Sequence, residues 1–230
     1  MSLAQIAGLL ADRTRAAFCT ALLDGRAWTA GELARHAGVA RSTASEHLSR
    51  LISAGLLAEE RQGRHRYVRL AGPEVAALIE DLTSWSPPDP APGNLRGASR
   101  TSAEARARTC YDHLAGRLGV ALSDALLGQG IVTDDAGLSI TGHGRTRLAE
   151  LGVPLPVRTG SRPVVRSCLD WTERRGHLGG ALGAALCRAA LERHWVERIG
   201  SGRALKITAA GERAFRELFG VDLLAGDADV

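Results

Sequence analysis

Lysine is almost missing from this chain of 230 residues: Lys206 is the only one among 29 Lys plus Arg. Such a bias belongs to the composition of a GC-rich genome. It costs nothing in chemistry, because arginine is the better fork for phosphates and guanine edges. Cysteine is scarce too, at four, and no two of them form a close Cys-x-x-Cys pair. That argues against a zinc knuckle and for reduced thiols in a cytosolic chain. No apolar run approaches the ~18 residues of a membrane span. The start, Met1-Ser2-Leu3-Ala4-Gln5, lacks a basic region before an apolar core, so no export signal is expected and the location reads as cytoplasmic. A nucleophile elbow, a phosphate loop and an HExxH stretch are all missing, so an enzyme is not expected. Asp112 and His113 are adjacent, and adjacent residues do not face each other on a helix.

What is present is a chain that is 45% hydrophobic, enough for a real core, with a formal charge of +4. The isoelectric point near 9.2 permits a nucleic-acid partner without requiring one. Two Pro-rich interruptions divide the sequence. The first, from Ser84 through Pro87, Pro88, Pro90 and Pro92, cannot continue a helix. It predicts a linker over 84–102 between a domain at 1–83 and a second at 103–230. The other runs from Gly152 to Pro163 and reads as a loop inside the second half.

The first half alternates clear signals. Apolar spacing predicts a helix from Leu3 to Asp24, stopped by Gly25. Thr29-Ala30-Gly31-Glu32 matches a capping box and opens a helix to His36. Gly38 turns the chain into a helix from Arg41 to Ser53. Leu56 to Leu70 predicts two strands around Gln62-Gly63-Arg64. Pro73 starts a last helix to Ser84. The order is that of a winged helix-turn-helix.

The Arg41 helix has the character of a DNA reader: short polar side chains near its start and an apolar back of Leu48, Leu51 and Ile52. Arg41, Ser42, Thr43, Ser45, Glu46 and His47 are the candidate contacts to bases and phosphates, and Arg61, Arg64 and Arg66 those of the wing. A helix used only for packing and a merely solvated hairpin are the bland alternatives.

Four stretches carry a family likeness: Asp12-Arg13-Thr14-Arg15, Glu32-Leu33-Ala34, Val39 to Leu48 (VARSTASEHL), and Gly55-Leu56-Leu57 before a wing ending near Tyr67. Residues 1–83 thereby resemble the ArsR family of bacterial repressors. The resemblance implies a transcriptional repressor, homodimeric on an inverted repeat, with the first and last helices of this region at the dimer seam. It also implies a departure. Metal-sensing members often carry Cys-x-Cys in the second helix of the reader, where this chain has Glu32-Leu33-Ala34-Arg35-His36, so that site is absent. Cys19, on the apolar side of the first helix, is expected to be a buried structural thiol.

The second half is expected to be α-rich with a winged outline, making the whole mainly α with small β-hairpin wings. Ile140 to Leu151 echoes Ile207 to Leu218, each with Ile-Thr at a strand-to-helix junction. Such junctions are common, so a true repeat and a chance match both stay open. A helix is predicted from His177 to His194; its glycines imply close packing, and it lacks a polar face for reading bases. The first expectation for this half is a small organic effector near Cys110, Tyr111, His113, Cys168, Trp171 and His177. Trp195 would add a wall, and Arg174 and Arg175 polar handles. With no metal cofactor in that reading, the alternative is a metal or thiol-redox sensor. On helices, Cys110 would share a face with His113, and Cys168 with Trp171. If those helices meet, Cys110, His113 and Cys168, joined by His177, would gather around zinc or another soft divalent ion.

Overall fold

The computed structural model describes residues 2–63, 65–85, 95–153, 155, 162–200 and 202–223. The chain divides into two units, Met1–Thr83 and Ser84–Val230. Among the described residues, no helix is long and apolar enough to cross a membrane.

In the first unit, α1 (Leu3–Leu10) and α2 (Arg13–Ala21) are followed by a 3-10 turn (Leu22–Asp24). This corrects the single helix expected over Leu3 to Asp24. Asp12 lies in extended backbone and accepts from the Arg15 amide, capping α2; a capping side chain competes with helix continuation. The buried Arg15 side chain bonds the carbonyl oxygens of Gly8 and Leu9 at the end of α1. Its guanidinium also lies 3.3 Å from His47 Nδ1. One arginine thus ties two helices to the reader. Arg15→Met is expected to cost about 1.5–3 kcal/mol, the scale of charge-assisted hydrogen bonds, read as a lower midpoint in urea unfolding; an unchanged midpoint would refute the role.

β1 (Trp28–Thr29) precedes α3 (Ala30–Ala37), whose capping box between Thr29 and Glu32 forms as expected. The Thr29 hydrogen bonds hold the Glu32 carboxyl below its ordinary range. Gly38, in the left-handed region, closes α3. Then come α4 (Arg41–Ser53), the hairpin β2 (Leu57–Gln62) and β3 (His65–Leu70), and α5 (Pro73–Ser84). The sheet order is β1-β3-β2. Trp28 and Thr29 pair with Val68 and Tyr67, a third strand the sequence reading had not separated.

The second unit begins with α6 (Leu95–Arg106), so the second part of the expected 84–102 linker is helical. Ala107, directly after α6, is fully buried in the core of this unit. Two similar halves follow. The first runs β4 (Arg108–Cys110), β5 (His113–Ala115), α7 (Gly116–Gly128), β6 (Val132–Thr133), β7 (Ser139–Ile140) and α8 (Gly142–Glu150). The second runs β8 (Arg166–Leu169), β9 (Gly176–Gly179), α9 (Gly180–Glu192), β10 (Val196–Arg198), β11 (Leu205–Ile207) and α10 (Ala209–Phe219). The helix expected from His177 therefore starts only at Gly180, and His177 lies on a strand.

The echo is structural. Thr141 Oγ1 accepts from the Gly144 amide and donates to the Gly130 carbonyl; Thr208 does the same with Gly211 and His194. A Cβ on Gly144 would collide with the Ile131 carbonyl oxygen, and one on Gly211 with that of Trp195. Each half therefore lays its last helix directly on the backbone before its second hairpin. Leu118, Leu126, Leu148, Leu182, Phe215 and Phe219 belong to one core shared by both halves.

Candidate DNA interface and candidate metal centre

Helix α4 exists because one stripe of it is apolar: Ala44, Leu48 and Leu51 are buried. The opposite face is free, with Arg41, Ser42, Thr43, Ser45, Glu46, Ser49 and Arg50 all exposed. Glu46 is engaged by Arg50 one turn on, at 2.6 Å. His47, expected at a phosphate, is half-buried instead and turned toward Arg15 and Asp12.

On the wing, Arg61 and Arg66 stand directly opposite each other. Like charges in that position repel. Glu59 resolves the conflict, bonding Arg61 at 3.1 Å and Arg66 at 2.7 Å. The Arg61 hydrogen bond leads in holding the Glu59 carboxyl below its ordinary range. Arg61 keeps 79% of its side chain exposed. Arg64 lies outside the described residues.

The second unit gathers a different chemistry. Cys110 and His113, expected on one helix face, instead face each other across the β4–β5 hairpin. Cys168 and His177 face each other in the same way across β8–β9. Directly opposed residues of an antiparallel pair share a face of the sheet. The four ligand atoms from the two hairpins lie within 4.8 Å of one another, and all four residues are buried. His113 Nε2 is 3.1 Å from His177 Nε2, and the rings stack with centroids 4.9 Å apart.

Each imidazole turns its other nitrogen toward a carboxylate: His113 Nδ1 to Asp112 and His177 Nδ1 to Asp170, both at 3.6 Å. Burial opposes ionisation of Asp112, but hydrogen bonds from His113 and Arg162 outweigh it and keep that carboxyl below its usual range. Asp170 is likewise buried and yet held low, by Arg108 at 2.9 Å, by Thr172 and by the Gly116 amide. Burial, and then the neighbouring His113, push His177 down to about 3. Its ring is therefore neutral, the form that ligates metals.

The glycines at the junction of β9 and α9 have their explanation here. A Cβ on Gly179 would stand 3.3 Å from the His113 ring, and one on Gly183 3.0 Å from His113 Cβ. The close approach they permit packs His113 against the start of α9. The aromatic residues expected to wall an organic site have the following surroundings. Tyr111 forms the β4–β5 turn with a left-handed backbone, the Arg108 guanidinium lies 4.8 Å over Trp171, and Trp195 packs edge-on against Phe215. Arg175 is paired with Asp124. A groove of about 700 Å³ opens elsewhere, lined by residues including Ser102, Arg106, Ile199 and Lys206.

The other two thiols stand apart in the core, Cys19 as expected and Cys187 with it. Cys19 is buried and its pKa pushed up to about 11; Cys187 is pushed up to about 12, chiefly by burial.

All four cluster residues are candidates in the sequence, but on helix spacing and not on strands. A signal for the correct pairing was available. Arg-Thr-Cys-Tyr-Asp before His113-Leu-Ala-Gly-Arg-Leu-Gly parallels Arg-Ser-Cys-Leu-Asp before His177-Leu-Gly-Gly-Ala-Leu-Gly. Each copy contributes one Cys and one His.

A winged helix-turn-helix with an uncovered polar helix face, joined to a duplicated unit, defines a class of DNA-binding regulators. Comparison with known proteins agrees. Residues 10–60 match a family of helix-turn-helix domains. The chain is 39% identical over 224 residues to the HTH-type transcriptional regulator YdfF of Bacillus subtilis (strain 168), covering 96% of this chain and 99% of that one. It is 40% identical over 81 residues to the HTH-type transcriptional regulator CmtR of Mycobacterium tuberculosis (strain ATCC 25618 / H37Rv), covering 35% of this chain and 68% of CmtR. The NMR structure of that cadmium metal-sensor matches 36% of this chain and 82% of its own, at 38% identity and a TM-score of 0.31. The chain belongs to the HTH-type transcriptional regulators.

Proposed function

We propose that this chain is a homodimeric repressor that reads a specific duplex with α4, grips its phosphates with the β2–β3 wing, and is released from it when its second unit binds a small effector. The observation that carries the reading is the division of α4 into a buried stripe of Ala44, Leu48 and Leu51 and an exposed polar face starting at Arg41. A second copy of the chain gives the apolar helices something to cover: α1 has no buried residue, and Leu3, Leu78 and Leu82 on α1 and α5 are exposed. An effector can shift DNA affinity only by as much as it prefers one conformation over the other.

Fluorescence anisotropy with DNA from upstream of the chain's own gene tests the reading. Specific regulators bind their site about 10³-fold or more tighter than random duplex, and that ratio is expected here at moderate salt. No preference over random duplex would overturn it.

A second reading of the effector, a soft metal ion in place of an organic molecule, is favoured by the convergence of Cys110, His113, Cys168 and His177. In that case DNA affinity shifts between zinc-loaded and chelator-treated protein.

A further inference from the structure

We propose that Cys110, His113, Cys168 and His177 form a closed tetrahedral site for one zinc-class divalent cation per chain, fastening the two halves of the second unit to each other. This rests on the metal reading of the effector and goes further, because it fixes coordination, stoichiometry and the class of ion.

The donor set is two thiolates and two imidazoles, the chemistry of zinc and its soft relatives and not of magnesium or calcium, which take oxygen. Geometry agrees. Bonds of about 2.0 Å to nitrogen and 2.3 Å to sulfur place the ligands of a tetrahedron roughly 3.3–3.8 Å apart. The two Nε2 atoms are 3.1 Å apart, and the whole set lies within 4.8 Å. Small adjustments of side chains close that difference.

The surroundings complete the design. Both imidazoles aim Nε2 inward and Nδ1 at a carboxylate, the arrangement that orients a histidine ligand and makes it a better donor. His177 Nδ1 has no hydrogen-bond partner and sits 3.6 Å from Asp170. Metal-bound, that nitrogen carries its proton toward the carboxylate. Asp112 and Asp170 are thus positioning residues, fixed in turn by Arg162 and Arg108.

Four protein ligands leave no open position, so the site binds and holds and does not activate water. Because β4–β5 belongs to one half and β8–β9 to the other, an ion there joins elements far apart in the chain.

The test uses the full chain, without a histidine tag, stripped by chelator and titrated with cobalt(II) and then zinc. One equivalent of cobalt should give the intense visible bands of tetrahedral coordination and a thiolate charge-transfer band, both erased by one equivalent of zinc. Cys168→Ser should lose charge-transfer intensity and weaken zinc binding more than about 10-fold, whereas Cys187→Ser should change neither. Asp112→Asn should weaken zinc binding by about 10–100-fold with the tetrahedral spectrum kept, the usual effect of losing such a partner. A weak octahedral spectrum from the unsubstituted protein overturns the site without the need of any variant. So does zinc affinity equal in Cys168→Ser and Cys187→Ser. If zinc binds as described but DNA affinity ignores it, the site stands and the effector reading falls.

Discussion

Arg41→Ala should weaken binding to the cognate duplex by about 5- to 150-fold and leave random duplex almost untouched. The range is the ~1–3 kcal/mol carried by one good base contact, at 1.4 kcal/mol per tenfold. Arg41 opens α4 on its exposed face, and its guanidinium lies along α3, 3.7 Å from where a Cβ on Gly31 would stand. Arg50 on the same helix is held by Glu46 at 2.6 Å. Arg61→Ala should behave differently. If Arg61 grips a phosphate as proposed, its loss weakens cognate and random duplex alike and reduces the slope of log affinity against log salt by about 0.9. Glu59, which bridges Arg61 and Arg66 in the free protein, would give way to a phosphate. Anisotropy titrations at several salt concentrations separate the two patterns. Equal losses on both duplexes from Arg41→Ala would mean that α4 lies along the backbone and reads no base.

The largest loss of stability is expected from Asp170→Ala, at about 3–5 kcal/mol, because it leaves a buried charge without its partner. Arg108 and Asp170 are both fully buried and meet at 2.9 Å. The same carboxylate accepts from the Gly116 amide, at 2.7 Å, and from the Thr172 amide and hydroxyl. Removing it strips the start of α7 of an acceptor and leaves Arg108 with the Glu104 carbonyl, the Thr172 hydroxyl and the Trp171 ring. Urea unfolding of metal-stripped protein, followed by tryptophan fluorescence, measures it. The double change Arg108→Met with Asp170→Leu should recover much of the loss, since apolar replacement of a buried pair is often neutral or better. A cost below about 1 kcal/mol for Asp170→Ala would show that the pair is not what holds these halves.

The reader unit was legible because its signals are local. The Thr29 capping box, the Gly38 and Gly63 turns and the Leu48–Leu51 stripe each fix a piece of backbone alone. The inward turn of His47 escaped because it is set at a distance, by Arg15; the break after α1 is local, a cap at Asp12 hidden by the apolar spacing that runs across it. In the second unit the residues were visible and their backbone was not. Three-residue strands such as Arg108–Cys110 are too short to show a period of two. Their turn depends on Tyr111 in the left-handed region, a conformation with no reliable sequence signature outside glycine and asparagine. The repeat was half seen. Six extra residues, Trp171 to Gly176, separate Asp170 from His177 where Asp112 and His113 are adjacent, so a fixed spacing cannot align both ends of the copies.

Housing all four donors in a single polypeptide has a kinetic meaning. Closing the Cys–His cluster is a first-order event, indifferent to dilution, because both hairpins travel on the same molecule. The pairing of two readers proposed above would be second-order and would fade as copies become few. On the proposed site and the proposed dimer, a cell with few copies of this chain would still have each one individually complete for metal, whatever fraction had found a mate.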